Sequence, residues 1–202
     1  MNRREPLRRI ATGRVKFAGS GLAEDEALLL ASTENVDRVD DVIEQRGIDF
    51  AAWMRLGGII LWNHAGECPV GNAISAAIEP AGFTIKIRFA PIGTSTIADE
   101  TRRLVKSGIV SGVSIGFVSR RWSWIDSRDP TSGRRYEAIE IYEVSICSVP
   151  ANRESMVIGK RFAGSDRPAR SPSTLDYAGT FEQRRSQLAW HEANSPEGRA
   201  RR

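Results

Sequence analysis

Histidine is almost absent from this sequence: two occur in 202 residues, and one of them, His191, lies in a polar stretch near the C-terminus. Imidazole chemistry in the hydrophobically patterned part of the chain therefore has one candidate, His64. Cysteine is as scarce, with Cys68 and Cys147 alone, too few for a disulfide framework. Both thiols are expected to be reduced. The same scarcity argues against zinc. His64, Glu67 and Cys68 stand close together, but structural zinc sites present paired Cys or His spacings and this chain has too few ligands. No apolar run approaches the roughly 18 residues of a membrane span. The basic opening MNRREPLRRIATGR has no apolar segment behind it to make a secretory signal, so a cytoplasmic origin is expected. Glycine-rich phosphate cradles are missing too, since Gly19-Ser20-Gly21 and the glycines at 112 and 116 match neither nucleotide fingerprint.

What remains is ordinary for a soluble globular chain, with 41% hydrophobic and 27% charged residues. The formal charge of +4 is concentrated at the two ends, and no aromatic stacking platform accompanies it. Nucleic acid is not an expected partner. Hydrophobic patterning runs over residues 15–161. One folded domain over 14–163 is predicted, behind a basic arm at 1–13. A polar, Pro/Ser/Arg-rich tail follows at 164–202 and reads as flexible or removable. Within it, 180–193 has the makings of a short helix, marginal without a surface to pack on.

The clearest strand is Phe83-Thr84-Ile85-Lys86-Ile87-Arg88-Phe89, which alternates apolar and polar residues strictly. The run at 96–107 places Ile97, Thr101, Leu104 and Val105 at helical spacing. Acids come early in it, bases late, and Gly108 stops it. The β-branched run 109–118 puts Val113, Ile115 and Phe117 on one face and Ser114 on the other. Residues 137–149 read as a long strand or strand pair closed by Pro150, and 28–32 and 58–62 as shorter strands. Several strands with a few helices predict a mainly β, α+β sheet or barrel with helices packed outside.

His64 ends the apolar run Gly57-Gly58-Ile59-Ile60-Leu61-Trp62-Asn63 and is followed by Ala65-Gly66-Glu67-Cys68-Pro69, predicted to be a loop. A strand end beside a loop is a common place for catalytic groups. Ser114 has Gly112 and Gly116 as same-face neighbours, so nothing crowds its hydroxyl. An acyl-transfer nucleophile needs that clearance and a neutral imidazole to take its proton. A third group usually orients the imidazole. Glu143 is the first candidate, because Ile141-Tyr142-Glu143-Val144-Ser145-Ile146 is otherwise too apolar for a charge that is unpaired or idle. Glu140 and Asp41 stand behind it. Arg120 and Arg121 are candidate helpers for an oxyanion.

Four stretches in order resemble the prohead (capsid maturation) serine proteases of tailed bacteriophages and related gene transfer particles, a family similar in fold to the herpesvirus assemblins. They are residues 32–43 (STENVDRVDDVI), 60–64 (ILWNH), 111–117 (SGVSIGF) and 143–152 (EVSICSVPAN). The resemblance implies that His64 is the general base and Ser114 the nucleophile. Assemblins use a second histidine as third member, and no match stands in the folded region, so the choice among carboxylates stays open with Glu143 first.

The resemblance further implies a closed, mostly antiparallel β-barrel ringed by helices. It implies an endopeptidase without cofactor, acting inside the procapsid in the host bacterial cytoplasm. The major capsid protein or scaffold protein would be its substrate, with self-cleavage and homo-oligomerisation expected. A rival reading of another class is a catalytically silent assembly factor that binds capsid subunits.

Overall fold

The computed structural model describes residues 21–162. The N-terminal arm, the tail from 164 with the stretch 180–193 expected to be helical, and His191 lie outside them. Nine strands are present among the described residues: β1 (Glu26–Ser32), β2 (Val42–Ile43), β3 (Ile48–Asp49), β4 (Ile59–Trp62), β5 (Ala65–Glu79), β6 (Gly82–Phe89), β7 (Gly112–Asp126), β8 (Asp129–Cys147) and β9 (Met156–Arg161). Two α-helices join them among the described residues, α1 (Ala51–Arg55) and α2 (Thr96–Ser107). Over the described residues the chain is thus mainly β with few helices.

All nine strands belong to one sheet, eight of them in the order β2-β8-β4-β5-β6-β1-β9-β7 with β3 paired to β8 off this path, and β7 pairs back with β8. The pairings therefore run round a ring. Most are antiparallel, but β2, β3 and β4 each lie parallel to β8. The long β7/β8 hairpin keeps its pairing from Gly112↔Cys147 out to Asp126↔Asp129, with register shifts along the way. Inside the ring, alternate residues of β1, β6, β7 and β8 bury Leu29, Phe83, Ile85, Ile87, Val113, Ile141 and Ile146. The strict alternation of β6 turns three of these inward at period two.

Helix α2 matches its predicted bounds because both ends are chemically marked. The Ser95 side chain accepts from the Ala98 N–H at the start, and Gly108 takes φ 80 at the end. Lys160 Nζ adds a donor to the C-terminal carbonyls of Val105 and Lys106. Its basic residues do not all face solvent as dipole partners. Arg102 is 2% exposed, ion-paired to Asp25 and stacked on Phe162.

Glu26 on β1 is also buried, between Lys86 and Arg88 of the neighbouring β6. Hydrogen bonding from Lys86 outweighs burial and, with the Ala23 N–H and Arg88, lowers its carboxyl to about 2. A carboxyl depressed on folding stabilises above its unfolded value of about 4.5 and loses that contribution as pH falls towards 2. Glu26→Gln should therefore lower the melting temperature at pH 7, and the gap from wild type should shrink between pH 4.5 and 2. Thermal melts followed by circular dichroism across that range check it; a gap that is constant with pH would contradict the assignment.

Candidate active site

His64 does not begin a loop. Asn63 and His64 take φ of 50° and 63° and form the whole connection between β4 and β5, which starts at Ala65. Two central residues with positive φ are the signature of a type I′ hairpin turn, whose twist suits the flanking strands. Gly66 and Pro69 made 65–69 look like a loop, but the strand accommodates Pro69 opposite Leu61, where the β4/β5 register shifts. Cys68 and Cys147 are both buried, and neither is in a disulfide.

The turn is held against β8 from above. Asn63 N–H donates to the Ile146 carbonyl at 2.9 Å, and His64 N–H donates to Ser145 Oγ at 3.0 Å. His64 Nδ1 hydrogen-bonds Glu143 Oε1. With a carboxylate as acceptor, Nδ1 carries the proton of the neutral ring and Nε2 is left as a base. The second carboxylate oxygen, Oε2, accepts from Ser145 Oγ at 2.7 Å. The imidazole is 37% exposed, while Glu143, at 6%, is enclosed. Tyr142, next on the strand, has its phenol pushed up by burial and by the Glu143 charge.

Ser114 lies on β7 directly opposite Ser145, and Gly116 directly opposite Glu143. Opposed residues of an antiparallel pair share a face with Cβ atoms roughly 4.5–5.5 Å apart. Ser114, Glu143 and Ser145 are therefore on one face of the hairpin, below the His64 turn. Among the described residues no hydrogen bond joins Ser114 Oγ to the imidazole; uncomplexed catalytic sites are often looser than hydrogen-bond reach. The glycines beside Ser114 leave more than clearance. A Cβ at Gly116 would fall 2.8 Å from Glu143 Cγ and closer still to its Oε1. One at Gly112 would fall 2.9 Å from Pro150 Cδ. The carboxylate occupies the volume that a side chain at 116 would take.

A cavity of about 380 Å³, including the solvent at its mouth, opens beside Ser114, between β7 and the segments 31–43 and 151–155. Asp37, Asp41, Ile115, Phe117 and Asn152 are in its wall. Its two loops are laced together: Asn152 Nδ2 donates to Thr33 O at 3.2 Å and Thr33 Oγ1 at 3.0 Å. Asn35 Nδ2 reaches Glu154 Oε2 at 2.8 Å, and Arg38 Nε the Pro150 carbonyl at 3.0 Å. Burial pushes the Asp41 carboxyl up, against the Arg134 N–H it accepts at 2.7 Å. Asp41 thus stands in the cavity wall rather than on the imidazole. Glu140 is ion-paired to Arg120, and Arg121 to Glu137 at 2.7 Å. These arginines are engaged on the outer hairpin, at 60% and 68% side-chain exposure, and have no part in the His64 cluster. Ser145 and Asn152 are the residues that sequence reasoning passed over. Their only signal was membership of the 143–152 stretch.

Residues 32–166 match the model of the caudovirus prohead serine protease family. The chain is 30% identical over 132 residues to a capsid polyprotein of Pseudomonas phage PAJU2, which covers 63% of this chain and 19% of that protein. It is 28% identical over 145 residues to a prohead protease of Escherichia phage T5, which covers 67% of this chain and 63% of that one. It therefore spans less than two thirds of the length of either relative. The matched segment carries both loops of the cavity wall, the His64 turn and the β7/β8 hairpin, and the chain belongs to the caudovirus prohead serine protease family.

Proposed function

We propose that this chain is a serine endopeptidase that cuts scaffold protein, or the scaffolding segment of the capsid protein, during procapsid maturation. The single observation that carries the chemistry is the His64 Nδ1 to Glu143 hydrogen bond over the face that bears Ser114. In this reading Nε2 of His64 takes the Ser114 proton as Oγ attacks the scissile carbonyl. The imidazolium, stabilised by Glu143, then protonates the leaving amine. Water, deprotonated by the same imidazole, releases the acyl group from Ser114. No cofactor enters these steps.

The match to a capsid polyprotein supports a capsid-derived substrate. The ring of strand pairings supports a closed barrel as the scaffold that holds the hairpin and turn in place. In this reading residues 14–163 form the protease domain, the tail from 164 is a segment it can remove, and the enzyme works as a homo-oligomer inside the procapsid in the host cytoplasm. A fluorophosphonate probe tests the chemistry directly. Mass spectrometry of the treated full chain should locate one adduct on Ser114, accelerated over a bare serine by the imidazole. A chain that stays unmodified while folded would instead be the silent assembly factor.

A further inference from the structure

We infer that Ser145 is a positioning residue of the same site, a single buried hydroxyl that sets both the carboxylate and the base. The inference rests on the protease reading. Ser145 is 0% exposed, and its hydroxyl uses both of its capacities within the cluster. It donates to Glu143 Oε2 at 2.7 Å and accepts the His64 N–H at 3.0 Å. Glu143 is thereby held at two points, by His64 on one oxygen and Ser145 on the other. The His64 backbone, at φ 63, is anchored to the same strand that carries its carboxylate. One oxygen atom thus ties the His64 backbone directly to the acid, one residue beyond the Asn63 N–H to Ile146 carbonyl bond that continues the β4/β8 ladder past Trp62↔Ile146.

Removing the hydroxyl leaves a buried carboxylate oxygen and a backbone N–H without their partner, and hydrogen bonds to charged groups are among the stronger ones. A carboxylate stripped of a donor also takes a proton more readily and favours the imidazolium over the free base. Both changes deplete the neutral imidazole beside an ionised Glu143, so both move the acid limb of reactivity to higher pH. The other groups around the pair do not blur this readout. From β7 come Ser114 and the two glycines, none of which titrates there. On β8, Tyr142 is raised above its usual range of about 10, and the Cys147 thiol is ordinarily protonated across the acid limb.

The test is the second-order rate of fluorophosphonate labelling of the full chain from pH 5 to 9. Ser145→Ala should slow labelling roughly 10- to 100-fold and shift the acid limb upward. Ser145→Thr, which keeps the hydroxyl, should recover most of the rate. Circular dichroism and tryptophan fluorescence establish that each variant is folded. Should the alanine variant not fold, Ser145→Cys, similar in volume and a weak donor, is measured in its place with the same expected shift. A folded variant without the hydroxyl that keeps the wild-type rate and limb overturns the positioning role. A wild-type chain that takes no label at Ser114 overturns the protease reading beneath it.

Discussion

Ser114→Ala, produced alongside the capsid or scaffold protein, should leave that protein at full length, whereas the parent chain converts it to shorter fragments. The expected loss is on the order of 10³- to 10⁶-fold in kcat, the range in which nucleophile deletions fall when a site retains only binding and oxyanion contributions. The fold should not notice the change. Ser114 is 8% exposed and the cross-strand ladder to Ser145 is made by the backbone, so the melting temperature should stay within a few degrees. His64→Ala should be as damaging, and the double variant no worse than either single one, because residues that act as a unit do not add. Electrophoresis of the co-produced substrate reads all three. Unchanged cleavage by Ser114→Ala would place the nucleophile elsewhere.

Gly116→Ala is expected to cost nearly as much, through the volume that Glu143 now occupies. The added methyl competes with Glu143 Cγ and Oε1 for one volume, and Tyr142 Cε1, 2.9 Å away, closes the other side. Backbone conformation is no obstacle, since Gly116 is absent from the positive-φ glycines. The carboxylate must therefore swing, and His64 Nδ1 loses its acceptor. Loss of the orienting carboxylate in a triad costs up to about 10⁴-fold in kcat, so a drop of roughly 10²- to 10⁴-fold is expected. Glu143→Gln should fall in the same range without any steric change, which separates electrostatics from crowding. Turnover of the co-produced substrate, with circular dichroism as the check on folding, decides it. A Gly116→Ala enzyme of full activity would show that Glu143 does not orient His64.

Much of this site was legible because it rests on local patterns. The alternation of 83–89 and the marked ends of α2 translate directly into β6 and the helix. Ser114 stood out through its glycines, although sequence assigned them only the role of clearance; the structure adds that Gly116 makes room for Glu143. Glu143 stood out as a charge in an apolar strand, and its enclosure beside His64 accounts for it. What could not be read depends on register between distant segments. Ser145 is one serine among many until β4 lies parallel to β8 and brings the His64 N–H to it across 81 residues of chain. The two-residue turn at Asn63 and His64 escaped for a different reason. Type I′ turns are recognised by a glycine in second place, and here a histidine takes that conformation. Asn152 and Thr33, 119 residues apart, likewise form a cavity wall only after the ring of strands brings their loops together.

The parallel docking of β4 on β8 has a bearing on the order in which the protein gains its parts. The β7/β8 hairpin is a nearest-neighbour structure that can form early, and it already carries Ser114 and Glu143. The histidine arrives on a separate hairpin, and its bond to Glu143 closes a loop of 79 residues, a non-local contact of the kind that forms late because its entropy must be overcome first. On the proposed assignment, a nascent or partly folded chain therefore holds a nucleophile and an acid without a base. In the same reading, hydrolytic competence arrives only with the completed fold, which would spare the proteins synthesised around a folding intermediate.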